Sequence, residues 1–267
     1  MKGTAVMLAA IGIGLLIASG CVTAPTTPAP VPTNTTTVPP ARPLYVIGID
    51  GNYPPFTYQG NDSKFTGFDI DSARWIANRE RFDVEFVALP WDGILNALQA
   101  GTIDMVYSGL TVTDERQKQF YLTTPYYTVN QSIAVRQDSN LTMQDLYDGW
   151  LRVGAQAGST GETWVRTNLM RSGKMPAQKL YTYPDVGILT KALEDGQIDA
   201  SIVQTPSQKY AIYRRPLVII GEIPTMEQYA VAIRKTDPEL RAMMDDGLRQ
   251  LMNDHYWQQL LRKYGLE

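Results

Sequence analysis

Arg116 lies two residues beyond Asp114 at the start of a helix-like turn, and its guanidinium offers a planar fork that fits a carboxylate through two parallel charge-assisted hydrogen bonds. Taken alone it reads as a surface arginine paired with Glu115 or Asp114. The run Gly158-Ser159-Thr160-Gly161 falls where a strand pattern gives way to a helix pattern, so free N–H groups and the positive end of a helix dipole attract an anion there. The plainer reading is an ordinary helix cap. Asp50 closes an apolar run, and two buried strand patterns run into Ser108-Gly109-Leu110-Thr111 and Gln204-Thr205-Pro206. Tyr53 and Trp91, by residue type alone, suit core packing.

Other chemistry is poorly supplied. Cys21 is the 1 cysteine of the chain, which excludes a disulfide framework and any cysteine-based zinc or iron–sulfur site. The 1 histidine, His255, falls in an apparent C-terminal helix, where it reads as an exposed or helix-end residue. That argues against His-rich metal sites and a Ser/His/Asp apparatus. No metal and no cofactor is expected. With 24 basic and 27 acidic residues, a formal net charge of -3 and no Lys/Arg-rich run, the footprint of a nucleic-acid binder is missing. Of the 267 residues, 44% are hydrophobic and 19% charged, as in globular proteins, and the length suits about two domains.

The first 43 residues do not belong to the folded part. Lys2 precedes an uncharged stretch from Gly3 to Gly20 whose most apolar part, Val6 to Ile17, is too short to span a ~30 Å hydrocarbon core comfortably, and it reads as a signal peptide. It ends Ile17-Ala18-Ser19-Gly20-Cys21, which resembles the lipobox of prokaryotic lipoproteins and implies lipidation of Cys21. An uncleaved membrane anchor is the alternative. Either way the expected location is extracytoplasmic, held at the outer face of the cell membrane. From Val22 to Pro43, Pro and Thr dominate and Arg42 is the lone charge, so the segment reads as an extended tether that cannot bury enough apolar surface to fold.

The folded part contains one unit twice. Ala97-Leu98-Gln99-Ala100-Gly101-Thr102-Ile103-Asp104 and Ala192-Leu193-Glu194-Asp195-Gly196-Gln197-Ile198-Asp199 share the pattern A-L-x-x-G-x-I-D. Each is the end of an amphipathic helix, a Gly at a left-handed cap, then a buried strand, read as Ile103 to Tyr107 and Ile198 to Val203. Around them strands at Leu44 to Asp50, Val84 to Ala88 and Arg152 to Ala155 alternate with helices at Phe68 to Glu80, Asp92 to Ala100 and from Gly158-Ser159-Thr160-Gly161 to Arg171. Asp69 and Asp71 read as charges at a helix's positive end. Thr142 with Asp145 suggests a capping box, and Asp237-Pro238 an N-cap followed by a first-turn proline. Such alternation predicts an α/β fold with mostly parallel sheets flanked by helices, binding ligands beyond the strands' carboxyl ends.

Four stretches in order, Ile49-Asp50-Gly51-Asn52-Tyr53-Pro54-Pro55-Phe56, Gly67-Phe68-Asp69-Ile70-Asp71, Trp91-Asp92-Gly93-Ile94 and Gly109-Leu110-Thr111-Val112-Thr113-Asp114-Glu115-Arg116, followed by Gly158-Ser159-Thr160-Gly161, resemble extracellular solute-binding protein family 3, the receptors of polar amino-acid ABC transporters. The resemblance covers almost all of residues 44–267. It implies a two-lobed periplasmic-binding-protein-like fold of type II, with two mostly parallel sheets flanked by helices and a ligand cleft between lobes. Lobe 1 would comprise 44–127 and 229–267, lobe 2 131–225, with crossovers near Tyr127–Gln131 and Met226–Tyr229.

The resemblance also implies roles. Arg116 would grip the ligand carboxylate, with Thr111 and Gly109 contacting its α-groups and Ser159 and Thr160 clasping the carboxylate from lobe 2. Tyr53 and Trp91 would sandwich the aliphatic part, and Asp50 would read the ligand side chain. Ser108 and Gln156 complete the expected ligand-binding set with Gln204. At Gln204 many members of the family carry an aspartate that neutralises the ligand's α-ammonium, so the sequence departs from the pattern there and the cargo is either an α-amino acid held by another acid or a small carboxylate lacking an ammonium. The implied function is capture of a small polar amino acid by hinge closure and delivery to membrane permease subunits, by a monomer that catalyses nothing. A cyclohexadienyl dehydratase-like lyase, with Asp50 as acid or base, and a sensor ectodomain are the alternatives.

Overall fold

The computed structural model of the protein describes residues 41–267; the leader, Cys21 and most of the Thr/Pro-rich stretch lie outside the described residues. Arg42 is tied to the folded body: its guanidinium donates to the carbonyls of Ala77 and Asn78 at 3.1 and 3.3 Å and lies 3.6 Å from the Asp83 carboxylate.

Two five-stranded sheets carry the fold. The first runs Asp83–Ala88, Leu44–Ile49, Met105–Val106, Ala232–Ile233, Tyr121–Leu122; the second runs Leu180–Tyr183, Val153–Gln156, Ala200–Gln204, Tyr127–Arg136, Leu217–Tyr229. Both sheets are mixed, which corrects the expectation of mostly parallel pairing: Ala232–Ile233 and Tyr127–Arg136 pair antiparallel with both of their neighbours. The reason is connectivity. Each reversed strand carries chain that has just crossed from the other lobe, and the crossing is made at the cleft. The parallel strands end at the cleft, so a chain arriving there must run back against them.

The repeated motif has a physical explanation. Helices Ile94–Ala100 and Val186–Glu194 end at Gly101 and Gly196, whose φ values of 77° and 74° lie in the left-handed region that glycine adopts without penalty. The aspartate closing each motif then fixes the neighbouring strand. Asp104 accepts the Val46 amide at 2.8 Å, and Asp199 accepts the Arg152 amide at 2.9 Å. Arg234 and Arg152 neutralise these carboxylates at 3.1 and 2.7 Å. These side-chain bonds occupy the ladder's first positions, so the strands begin only at Met105 and Ala200.

Burial follows the sequence pattern. Helix Phe68–Glu80 buries Phe68, Ile70, Ala73, Ile76 and Ala77 in the first lobe's core, each large side chain contributing about 1.5–3 kcal/mol. Helix Pro238–Asn253 crosses it closely enough that a Cβ on Gly247 would come within 2.4 Å of Ile76. In the second lobe Ile133, Val135, Val153, Ala155, Val165 and Ile202 form the core. The capping box at Thr142 and Asp145 has both of its bonds. Asp237 stands at the N-cap of Pro238–Asn253, but its carboxylate pairs with Arg234 at 2.7 Å instead of capping the helix. A 3-10 turn, Trp91–Gly93, precedes Ile94–Ala100, and helix Thr160–Val165 passes directly into a π-helical turn, Arg166–Met170.

Candidate functional site

The parallel strands of both sheets deliver short polar segments to one place. A small cavity is lined by Asp50, Tyr53, Trp91, Ser108, Gly109, Thr111 and Arg116 from the first lobe and by Gln156, Ser159, Thr160 and Gln204 from the second. Every residue expected to contact a ligand lies on this wall.

Asp50 follows strand Leu44–Ile49 and is 5% exposed. Its Oδ2 accepts Gln156 Nε2 across the cleft at 2.6 Å and its Oδ1 accepts the Asn52 amide at 2.9 Å. Burial raises its carboxyl above the ordinary range, against the pull of those two bonds. Ser108 Oγ accepts the Asp50 amide at 3.0 Å and meets Thr57 Oγ1 at 2.6 Å, so the two strand ends are tied to each other before they reach the cavity.

Gly109 has φ 57°, and a Cβ there would come within 2.7 Å of the Tyr53 ring. Only glycine lets the main chain and the aromatic wall share this corner. Its N–H donates to Asp69 Oδ2 at 2.6 Å, and Tyr126 donates to the same oxygen at 2.9 Å. Asp69 is fully buried, which corrects its reading as a helix-end charge. It braces the cavity wall from behind, and burial pushes its carboxyl up to about 7 despite those two donors.

Tyr53 donates across the cleft to Gln204 Oε1 at 3.0 Å and meets Tyr229 Oη at 2.7 Å. It stacks on Phe56 with ring centroids 5.6 Å apart. Burial raises its hydroxyl well above the usual phenol range, so it stays protonated. Trp91 lies under the Arg116 guanidinium, 5.8 Å from its ring centroid. Arg116 is oriented by the Thr111 carbonyl at 2.8 Å and reaches the Gly158 carbonyl of the second lobe at 3.4 Å. Burial lowers it to about 10, opposed by attraction to Glu227 and Glu115, and it remains a cation at neutral pH. Ser159 caps helix Thr160–Val165 by accepting the Glu162 amide at 3.1 Å.

Sequence reasoning missed several residues. Glu227 accepts Thr111 Oγ1 at 2.9 Å, Thr160 Oγ1 at 2.7 Å and Gln131 Nε2 at 2.9 Å, and Gln204 Nε2 lies 3.4 Å from it. Asn52 and Asp185 join the lobes at the rim at 2.9 Å. The available signal for Glu227 was an acid inside a segment already expected to cross between lobes. Gln131 and Tyr229 lie in the same expected crossovers and Asn52 in the first of the quoted stretches, but none of them carries a charge to single it out. Asp71, the other acid of the helix start, holds Lys263 and Tyr264 of helix His255–Tyr264 at 2.6 Å each, and His255 is exposed.

Residues 45–267 match the model of the bacterial extracellular solute-binding proteins, family 3. The L-cystine-binding protein TcyJ of Escherichia coli K12 is 28% identical over 226 residues, covering 84% of this chain and 83% of that protein. Among solved structures, an ancestral arginine-binding protein bound to arginine has a TM-score of 0.77 at 29% identity, covering 84% of this chain and 99% of that one. The ancestral amino acid-binding protein AncCDT-1, described as a precursor of cyclohexadienyl dehydratase, has a TM-score of 0.75 at 32% identity, covering 83% and 95%. With two αβ lobes around a polar cleft and a family match over nearly the whole described body, the chain belongs to the bacterial extracellular solute-binding proteins, family 3.

Proposed function

We propose that the protein is the substrate-binding subunit of an ABC importer, capturing a small polar amino acid between its lobes and handing it to a membrane permease. The observation that carries this reading is Arg116: a cation held in place by backbone carbonyls at the wall of a cavity enclosed from both sides, with part of its donor fork free to take a carboxylate. The first-turn amides of the helix beginning at Thr160 approach the same end from the second lobe. Tyr53 and Trp91 supply apolar faces for the cargo's carbon chain, and Asp50 and Gln156 supply polar groups that discriminate side chains. Relatives that bind cystine or arginine support an amino-acid cargo.

Binding rather than turnover fits the lining, in which Asp50 is the one carboxylate and is tied down by Gln156 and the Asn52 amide. Contacts to both lobes exist only when the cleft is shut, so occupancy and closure are coupled. The receptor acts as a monomer at the outer face of the membrane, attached through a lipid on Cys21; incorporation of a fatty-acid label should be lost in Cys21→Ser. The reading is tested by thermal shift with a panel of polar amino acids including L-arginine and L-cystine. A cargo at 100 times its Kd adds about 2.7 kcal/mol, which for a body of this size raises Tm by about 5–10 °C. A flat response to the panel and to small carboxylic acids overturns it.

A further inference from the structure

An amino-acid cargo carries an ammonium as well as a carboxylate, and the reading above, on which this inference rests, requires a negative pole near Arg116. The lining does not hold one there. Asp50 already serves Gln156 and the Asn52 amide, and Gln204 is neutral.

The missing charge stands one layer back. Glu227 belongs to strand Leu217–Tyr229, just past a register slip between Ile223 and Glu227 where Met226 has φ 49° and points to solvent. The slip aims Glu227 at the cleft. A carboxylate has only acceptors, so every partner must turn a donor toward it. The hydroxyl protons of Thr111 and Thr160 are directed at Glu227, at 2.9 and 2.7 Å. The Gln204 amide nitrogen is drawn to Thr160 Oγ1 at 3.1 Å and toward Glu227, which fixes the orientation of the amide and leaves Oε1 facing Tyr53. Thr111 Oγ1 and the second lone pair of Gln204 Oε1, whose first takes the Tyr53 hydroxyl, are therefore left as acceptors on residues that line the cavity, backed by the Glu227 carboxylate.

We propose that Glu227 is the positioning residue for the ammonium of a zwitterionic α-amino acid, acting through Thr111, Thr160 and Gln204 to make one end of the cavity a negative pole beside the Arg116 cation. The charge that Gln204 lacks is supplied from the crossover strand, and preference for amino acids over the corresponding plain carboxylic acids originates there.

The test is calorimetric titration of the unaltered protein, Glu227→Gln and Thr111→Val with two matched pairs: L-arginine and δ-guanidinovaleric acid, L-glutamine and glutaramic acid. Each second member lacks only the ammonium. Glu227→Gln should weaken the amino acid by about tenfold or more and change its partner by less than about threefold, the scale of a hydrogen bond to a charged group. Thr111→Val, which keeps the carboxylate but removes one relay, should shift the same ratio in the same direction. Gln204→Asp in the Glu227→Gln background returns the charge by another route and should restore the preference. Glu222→Gln, an exposed change on the same strand, should leave both affinities alone. Parallel weakening of amino acid and partner, or no change in either, overturns the proposal while leaving the amino-acid reading intact. Failure of the unaltered protein to bind any amino acid of the pairs or of the thermal-shift panel overturns that reading and this inference with it.

Discussion

At the scale of single residues, the site depends on a cation whose own contacts are backbone carbonyls. Arg116 rests against Thr111 and Gly158 and stacks over Trp91. Removing it in Arg116→Ala should therefore weaken cargo binding by about 2–5 kcal/mol, the range for truncating one partner of a desolvated charge pair. The free protein should keep its stability within about 1 kcal/mol, because no carboxylate within ion-pair distance loses its partner and the desolvation of the guanidinium is relieved. Titration calorimetry and denaturant unfolding separate the two effects. A loss of stability matching the loss of affinity would show that the residue supports the fold instead. Arg116 was legible in the sequence because a contiguous motif surrounds it. Glu227 was marked only as an acid within an expected crossover, because what aims it at the cleft is a slip in strand pairing that contains an unremarkable methionine, Met226.

Elements carry the site by bracing one another. The start of helix Phe68–Glu80 places Asp69 behind the Ser108–Thr111 segment, so a buried carboxylate holds a cavity-wall amide. Burial raises this group to about 7, and the sign of the resulting pH dependence is fixed. Between the ordinary carboxylate value and about 7 the folded protein keeps a proton that the unfolded chain has lost, so this group's contribution to stability declines as pH rises through that window and levels off above it. Asp69→Asn should remove that decline. The difference in unfolding free energy between the unaltered protein and the variant should drift by a few kcal/mol, on the order of one unit's 1.36 kcal/mol times the shift, between about pH 4 and pH 7. A difference independent of pH would refute the assignment. The sequence presented Asp69 as a helix-end acid, since acids in a first turn face water in most helices. Only the tertiary placement of Gly109 and Tyr126 against it reveals otherwise. By contrast, the helix–Gly–Asp–strand repeat was visible as a pattern, and its aspartates were interpretable only once Asp104 and Asp199 were seen holding the amides of Val46 and Arg152.

For the whole molecule, the lobed α/β architecture followed from alternation of strand and helix patterns and from motifs arranged in order along the chain. The reversed strands did not, because strand direction is set by where the chain re-enters a sheet and no local propensity records that. The crossovers pair side by side, Tyr127 with Tyr229, Thr128 with Gln228 and Val129 with Glu227, so the flexing ribbon and the inferred seat of cargo charge are one element. Several polar bonds join the lobes across the cleft: Gln156 to Asp50, Tyr53 to Gln204, Asn52 to Asp185. Parting the lobes must therefore break these bonds together with whatever the cargo adds, so letting a solute go costs more than its own contacts alone.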